Sequence, residues 1–238
     1  MRAYSLSMIV RQDADMLERF LPLTSPHVPE KFALVFPSTD GSREVLERYG
    51  FWVWEEEWKG SYAAARNRLN ELVRGRSSLP WTVQLDADEV LSRWDVLDGV
   101  VEGCPHPAIL FPRYNLSTLP GQVLVPGMQL HWQDWTYPDP QMRMVRLDAP
   151  VSYRLDVHEV LWNLAQDRQH YQTGLYGTGP HIYHYGATRP LTRLWLKHHN
   201  YNQLAAGQPP LTTCPFSEAE LAGRARPLPH FPHPHPYA

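Results

Sequence analysis

Nothing in this chain of 238 residues approaches the ~18 consecutive apolar residues that a membrane helix needs. The stretch Met1–Val10 is too short and too interrupted for a signal peptide before charge arrives at Arg11. The expectation is therefore a cytoplasmic chain, one that meets a lipid-borne partner peripherally, from the membrane surface. Cysteine is scarce. Cys104 and Cys214 stand alone, without the spacing of a metal site or a disulfide framework. No basic run or stripe is present, and 22 Lys and Arg against 25 Asp and Glu leave a net charge of −3. That balance weighs against a large nucleic-acid footprint, although it does not speak to a small basic groove. There is no internal repeat.

Proline and aromatic residues are plentiful instead: 23 Pro, 9 Trp and 12 Tyr, with 12 His. They gather mostly after residue 105, where periodicity weakens. A surface rich in flat rings suits saccharides, and it suits an ordinary irregular domain nearly as well. The segment Pro227–Ala238 (PLPHFPHPHPYA) cannot form a helix and reads as an extended tail.

The first 90 residues are regular. Leu6–Val10, Phe32–Phe36, Phe51–Trp54 and Trp81–Leu85 are short apolar runs that read as buried strands. Between them Ala14–Leu23, Arg43–Tyr49 and Ser61–Arg74 carry helical patterns, with Pro22 limiting the first and Gly50 and Gly75 following the others. This alternation predicts an α/β fold with a mostly parallel sheet covered by helices. In such sheets ligands bind beyond the carboxyl ends of the strands. The acid-bearing loops after Val10, Phe36 and Leu85 should then share one crevice. Beyond residue 105, Ala108–Phe111, Gln122–Val125 and Met142–Arg146 read as strands and Leu191–Ala206 as an amphipathic helix. The expected organisation is one domain over 1–208, with a binding half at 1–92 and a distal half at 93–208, followed by a Pro/His-rich tail at 209–238.

Asp86-Ala87-Asp88-Glu89 ends the fourth strand. In extended chain Asp86 and Asp88 point the same way, so both carboxylates face one small volume. Like charges that close repel unless protons or a cation intervene. A hard ion with oxygen ligands, Mn²⁺ or Mg²⁺, resolves the conflict and completes its shell with waters and substrate phosphates. Without the preceding strand and the upstream βα units, the same residues would read as a solvated turn or as caps for a helix starting near Glu89.

The order of four segments resembles the family 2 glycosyltransferases of the GT-A fold, and especially the bacterial lipopolysaccharide core glycosyltransferases. These are Leu6–Asp13 (LSMIVRQD), Pro37–Ser42 (PSTDGS), Gly60–Asn67 (GSYAAARN) and Gln84–Leu91 (QLDADEVL). Weaker echoes follow in Gln141–Arg146, Val157–Val160 and His184–Gly186. The resemblance implies sugar transfer from a nucleotide-diphosphate donor, a UDP- or GDP-sugar, with inversion at the anomeric carbon. It implies nucleotide contacts at Val10, Asp13, Arg66, Asn67 and Asp86, and a metal on Asp86 and Asp88 with His184 as a third ligand. His158 competes for that last place. Family members carry an acid just before the turn at Pro37, where this chain has Val35-Phe36-Pro37. Base recognition must differ, or come from Asp40 or from stacking. Glu159 is the candidate base for the acceptor hydroxyl, with Asp134 and Asp139 as alternatives. The acceptor would be a glycan, a glycolipid or another hydroxyl compound. Two other readings stand beside this one. A nucleotidyltransferase-like enzyme would carry a glycine-rich phosphate loop that Leu6–Asp13 lacks. A decayed, non-catalytic carbohydrate-binding relative would keep the fold without the transfer.

Overall fold

A computed structural model describes residues 2–117, 139–156, 159–169, 179–205, 208, 211 and 213–224. The first part alternates as expected: β1 (Tyr4–Val10), α1 (Ala14–Thr24), β2 (Lys31–Val35), α2 (Ser42–Arg48), β3 (Trp52–Glu55), α3 (Tyr62–Arg74) and β4 (Trp81–Gln84). These four strands run parallel, with Val10 beside Val35, Val35 beside Glu55, and Ser7 beside Gln84. Their carboxyl ends therefore emerge on one edge. β1 is buried along its whole length, as a central parallel strand must be. Its two serines are accommodated because Ser5 Oγ donates to the Trp81 carbonyl and Ser7 Oγ accepts from Thr82.

Local sequence sets the helix ends. Ser61 Oγ accepts from the Ala64 N–H at 3.1 Å and starts α3, whose face of Ala65, Leu69 and Val73 packs on Ile9, Phe32 and Leu34. Gly41 precedes α2 at φ +83°, a backbone conformation that glycine adopts without strain. One expectation shifts here: α1 continues through Pro22 to Thr24.

After β4 the chain departs further from the sequence reading. Glu89–Leu91 forms a strand, β5, and no helix begins there; α4 (Leu97–Val101) follows. β6 (Ala108–Ser117) and β7 (Asp139–Arg146) are longer than their apolar cores suggested. β7 lies antiparallel to β4, with Met144 beside Val83. β8 (Val151–Arg154), β9 (Val160–Asn163) and β10 (Arg168–Gln169) make a small antiparallel sheet that the sequence reading did not foresee. With β11 (Ile182–Ala187) the larger sheet has the order β3-β2-β1-β4-β7-β6-β11-β5. The expected strand at Gln122–Val125 lies outside the described residues.

Two compact units result, residues 1–113 with 140–183, and residues 114–139 with 184–238. In the second, α5 (Leu191–Ala205) is capped by Glu218, whose carboxylate accepts from the N–H groups of Leu191 and Thr192. α6 (Glu218–Arg224) forms within the stretch read as tail. Its start is a capping box, Ser217 and Glu220 each accepting the other's N–H, and Leu221 is buried beneath it. Among the described residues no helix is long and apolar enough to cross a membrane.

Candidate functional site

The loops at the carboxyl edge of the parallel strands are tied to one another. Gln12, held at φ +57°, donates its N–H to Ser38 Oγ at 3.0 Å, and Asp13 donates its N–H to Ser42 Oγ. Asp40 braces both loops. One of its oxygens accepts from the Ala14 N–H at 2.9 Å, and the other from the Ser42 N–H and hydroxyl. Burial alone would raise its pKa, but these bonds outweigh burial and hold the carboxyl below its usual range. Asp13, at the start of α1, contributes its carbonyl to the Met16 and Leu17 N–H groups.

A charged cluster sits at the end of β4. Asp86 is gripped from two sides, by Arg66 Nη2 at 2.8 Å and Arg143 Nη2 at 2.6 Å. Arg66 also pairs through Nε with Glu159. Glu89, fully buried, accepts from Arg143 Nε at 2.8 Å and Nη2 at 2.9 Å, from Arg113 at 3.3 Å and from the Asp86 N–H at 3.0 Å. Three carboxylates thus meet three guanidiniums, and Asp88, two residues beyond Asp86, is also buried. Burial opposes the charge on Arg66, yet Asp86 and Glu159 overcome it and raise its pKa; Arg143 is raised in the same way by Asp86 and Glu89. One guanidinium nitrogen remains over: Arg66 Nη1 is buried with no hydrogen-bond partner.

Beside this cluster lies a neutral network. Tyr153 donates its hydroxyl to Gln84 Oε1 at 2.7 Å, and the Gln84 amide donates to Asn70 Oδ1. Asn67 pairs with the backbone of Tyr153 through two bonds of 2.9 and 2.7 Å, as a strand residue would, and so pins α3 to β8.

The structure thus brings Arg66, Asp86 and Glu159 together, with Asp88 buried two residues beyond Asp86 and Val10, Asp13 and Asp40 at the ends and loops of the same sheet edge. Asn67 spends its amide on β8. Asp139 opens β7, while Asp134 and His158 lie outside the described residues. His184 belongs to the second unit, where Nδ1 pairs with Asn115 Oδ1 at 2.7 Å. Sequence reasoning named Glu89 within the acidic cluster but missed Arg143 and Arg113 as members. Met142-Arg143-Met144 was the available signal, an arginine set between apolar residues in a strand. Carboxylate oxygens are the right donors for Mg²⁺ or Mn²⁺. Asp86, Glu89 and Glu159 are nevertheless already engaged by arginines, and among the described residues no three His, Cys, Asp or Glu side chains are arranged to hold a metal ion.

No family model matches the chain. A TPR repeat-containing protein of Synechococcus elongatus is 29% identical over 191 residues, which cover 79% of this chain and 43% of that protein. The chain thus spans less than half the length of that relative. Among solved structures it is similar to S. aureus TarS, with 12% identity and a TM-score of 0.47 over 92% of this chain and 41% of that one. It is also similar to the mannosyltransferase PcManGT from Pyrobaculum calidifontis in complex with GDP-Man and Mn²⁺, with 16% identity, a TM-score of 0.36, and coverage of 48% and 35%. Glucosyl-3-phosphoglycerate synthase from Mycobacterium tuberculosis, in complex with Mg²⁺ and UDP, gives 16%, 0.36, 48% and 44%. At this level the likeness assigns no activity to the chain.

Proposed function

We propose that this chain is a GT-A glycosyltransferase of the family 2 type, which moves a sugar with inversion from a UDP- or GDP-sugar to a hydroxyl acceptor. The observation that carries the reading is the clamp of Asp86 between buried Arg66 and Arg143, at the carboxyl end of a parallel strand. A planar guanidinium fork binds phosphate oxygens as readily as carboxylate, so a diphosphate can take over pairings that Asp86 now satisfies. Arg66 Nη1 offers such a ligand a donor already buried and unpaired.

In this reading residues 1–92 bind the donor, residues 93–208 serve the acceptor, and the protein works in the cytoplasm. Asp86 and Asp88 would hold Mg²⁺ or Mn²⁺ together with the donor's phosphates, which requires the arginines to release Asp86. The metal would neutralise charge on the leaving diphosphate. Glu159 would take the proton of the acceptor hydroxyl as that oxygen bonds to the anomeric carbon and the bond to the diphosphate breaks. Arg66 pairs with Glu159 through Nε and so fixes where that carboxylate sits.

The test is a thermal-shift screen with UDP, GDP, CDP, dTDP and their sugars, each with and without Mn²⁺. A ligand of the native state raises the melting temperature by mass action, so no acceptor need be known. A shift with one nucleotide that depends on metal, and is lost in Asp88→Ala, supports the reading. No shift with any of them, in a folded protein, sinks it. Glu159→Gln should keep the shift and slow donor turnover. A second reading, a non-catalytic nucleotide-sugar binder, is favoured by the engagement of both Asp86 and Glu159 by one arginine. It predicts the same shift with no turnover in the natural chain.

A further inference from the structure

β8 is the end strand of the small sheet, with β9 on one side of it. An end strand leaves a row of N–H and C=O groups without a strand to meet them. α3 meets them instead. Asn67 Oδ1 accepts the Tyr153 N–H at 2.7 Å, and Asn67 Nδ2 donates to the Tyr153 carbonyl at 2.9 Å. Three residues on, the Asp156 carbonyl accepts the N–H of Tyr62 at 2.9 Å, one of the donors that the first turn of a helix leaves unused. Ala63 of the same helix packs with Tyr153 and Leu161. Between the two attachments lies Leu155, at φ +75°. A leucine is rarely found in this left-handed conformation, which persists where the surroundings fix the path of the chain. The Leu155 side chain is 60% exposed, so packing does not hold it there. The attachments on either side do.

Glu159 lies one residue before β9, whose first residue, Val160, stands opposite Arg154 of β8. Its carboxylate meets Arg66 Nε, and Arg66 precedes Asn67 on α3. One helix therefore carries both the cation that meets the carboxylate and the amide that holds the strands behind it. Resting on the reading of Glu159 as the base, we propose that Asn67 is a positioning residue for Glu159 and not a nucleotide contact. Asn67 fixes β8, β8 fixes β9 through their ladder, and β9 sets where Glu159 emerges. A side-chain amide suits the task. It offers a donor and an acceptor side by side, as strand backbone does, and carries no charge to compete with Arg66 for the carboxylates.

The experiment compares the full chain with Asn67→Ala, Glu159→Gln and the double variant. Affinity for UDP and GDP is read by calorimetry. Turnover is read, with Mn²⁺ present, as release of UDP or GDP from UDP-glucose, UDP-N-acetylglucosamine and GDP-mannose with water as acceptor. In that reaction the water oxygen bonds to the anomeric carbon, its proton passes to Glu159, and the nucleoside diphosphate leaves with the electron pair of the broken bond. Asn67→Ala should lower kcat about tenfold or more, as misplacement of a reacting group does, with KM and diphosphate affinity kept within about twofold. In the Glu159→Gln background the same substitution should change kcat by less than about twofold, because its effect passes through the carboxylate. Should Asn67→Ala not fold, Asn67→Asp has the same shape without the N–H donated to Tyr153 and should show the same split. An unchanged kcat overturns the proposal and leaves the donor reading standing; if UDP or GDP binding weakens instead, Asn67 is a nucleotide contact. An equal loss of kcat with and without Glu159→Gln assigns Asn67 a general structural role and overturns it too. Nucleotide binding without release by the natural chain removes Glu159 as a base, and absence of both removes the donor reading; the proposal falls with either.

Discussion

Two aspartates end two strands of one parallel sheet, and their surroundings differ. Asp40, after β2, is bonded by neutral donors of the chain itself: the Ala14 N–H, the Ser42 N–H and the Ser42 hydroxyl. Asp86, after β4, is bonded by two buried guanidiniums and keeps a third of its side chain exposed. The donors on Asp40 cannot be given up without unmaking the start of α1. The guanidiniums on Asp86 can exchange one anion for another, because the charge that holds them there is not specific to a carboxylate. The first arrangement is scaffold and the second is suited to exchange.

The sharpest way to break this contrast is Arg143→Met, which keeps apolar bulk and removes the charge shared by Asp86 and Glu89. Glu89 would then be a buried carboxylate with Arg113 as its remaining cationic partner. Stranding a buried charge costs about 3–5 kcal/mol, so denaturant unfolding at neutral pH should show a loss of that order. A loss below about 1 kcal/mol would mean that water reaches the cluster and that the pairings are of the weak surface kind.

Asp40→Ala should cost less, about 1–2 kcal/mol, as removal of a helix-start acceptor does. The sign with pH follows from its lowered pKa. The stability that Asp40 contributes is present above the unfolded value of about 3.9 and is lost as pH falls through the lower folded value. Urea midpoints of the natural chain and the variant should therefore differ at pH 7 and converge in acid below about pH 4. A gap that persists there would mean the brace acts through packing, not through its charge.

How much of this contrast was legible in the sequence depends on range. The βα alternation was readable because short apolar runs, Gly, Pro and capping residues act locally, and Arg66, Asp86 and Asp88 stood in motifs of fixed spacing. Arg143 was not, since it lies 57 positions beyond Asp86 and an arginine between Met142 and Met144 reads as the outward residue of a half-exposed strand. Its burial makes sense only once the acids across the sheet are known. The family resemblance implies a nucleotide contact at Asn67 as well as at Arg66. The Asn67 amide pairs instead with the backbone of Tyr153 in β8, 86 positions away, a partner that no local pattern announces. Asp40 likewise reads as a free acid in a turn until the loop after β1 folds over it.

The smallest expected effect tests whether the neutral network beside Arg66 is scaffold in the same sense as Asp40. Tyr153 lies with its ring 5.8 Å from the Arg66 guanidinium carbon and gives its hydroxyl to Gln84. Tyr153→Phe leaves Gln84 Oε1 without that donor in a buried place, a loss of about 1 kcal/mol. Burial, more than the counteracting pull of Arg66 and Arg143, pushes the Tyr153 pKa up to about 12. An unfolded tyrosine ionises near 10, so the stability linked to Tyr153 is whole below about pH 10 and is lost as pH rises from there to about 12. The variant lacks this term. Tyr4, also pushed up to about 12 by burial, remains in both proteins and keeps part of the alkaline decline. Melting temperatures from pH 8 to 11.5 should show a gap that closes above pH 10. Two curves that stay parallel would mean the folded protein lets Tyr153 ionise as freely as the unfolded chain does. The hydroxyl would then belong to a site open to exchange, as Asp86 does, and not to the scaffold with Asp40.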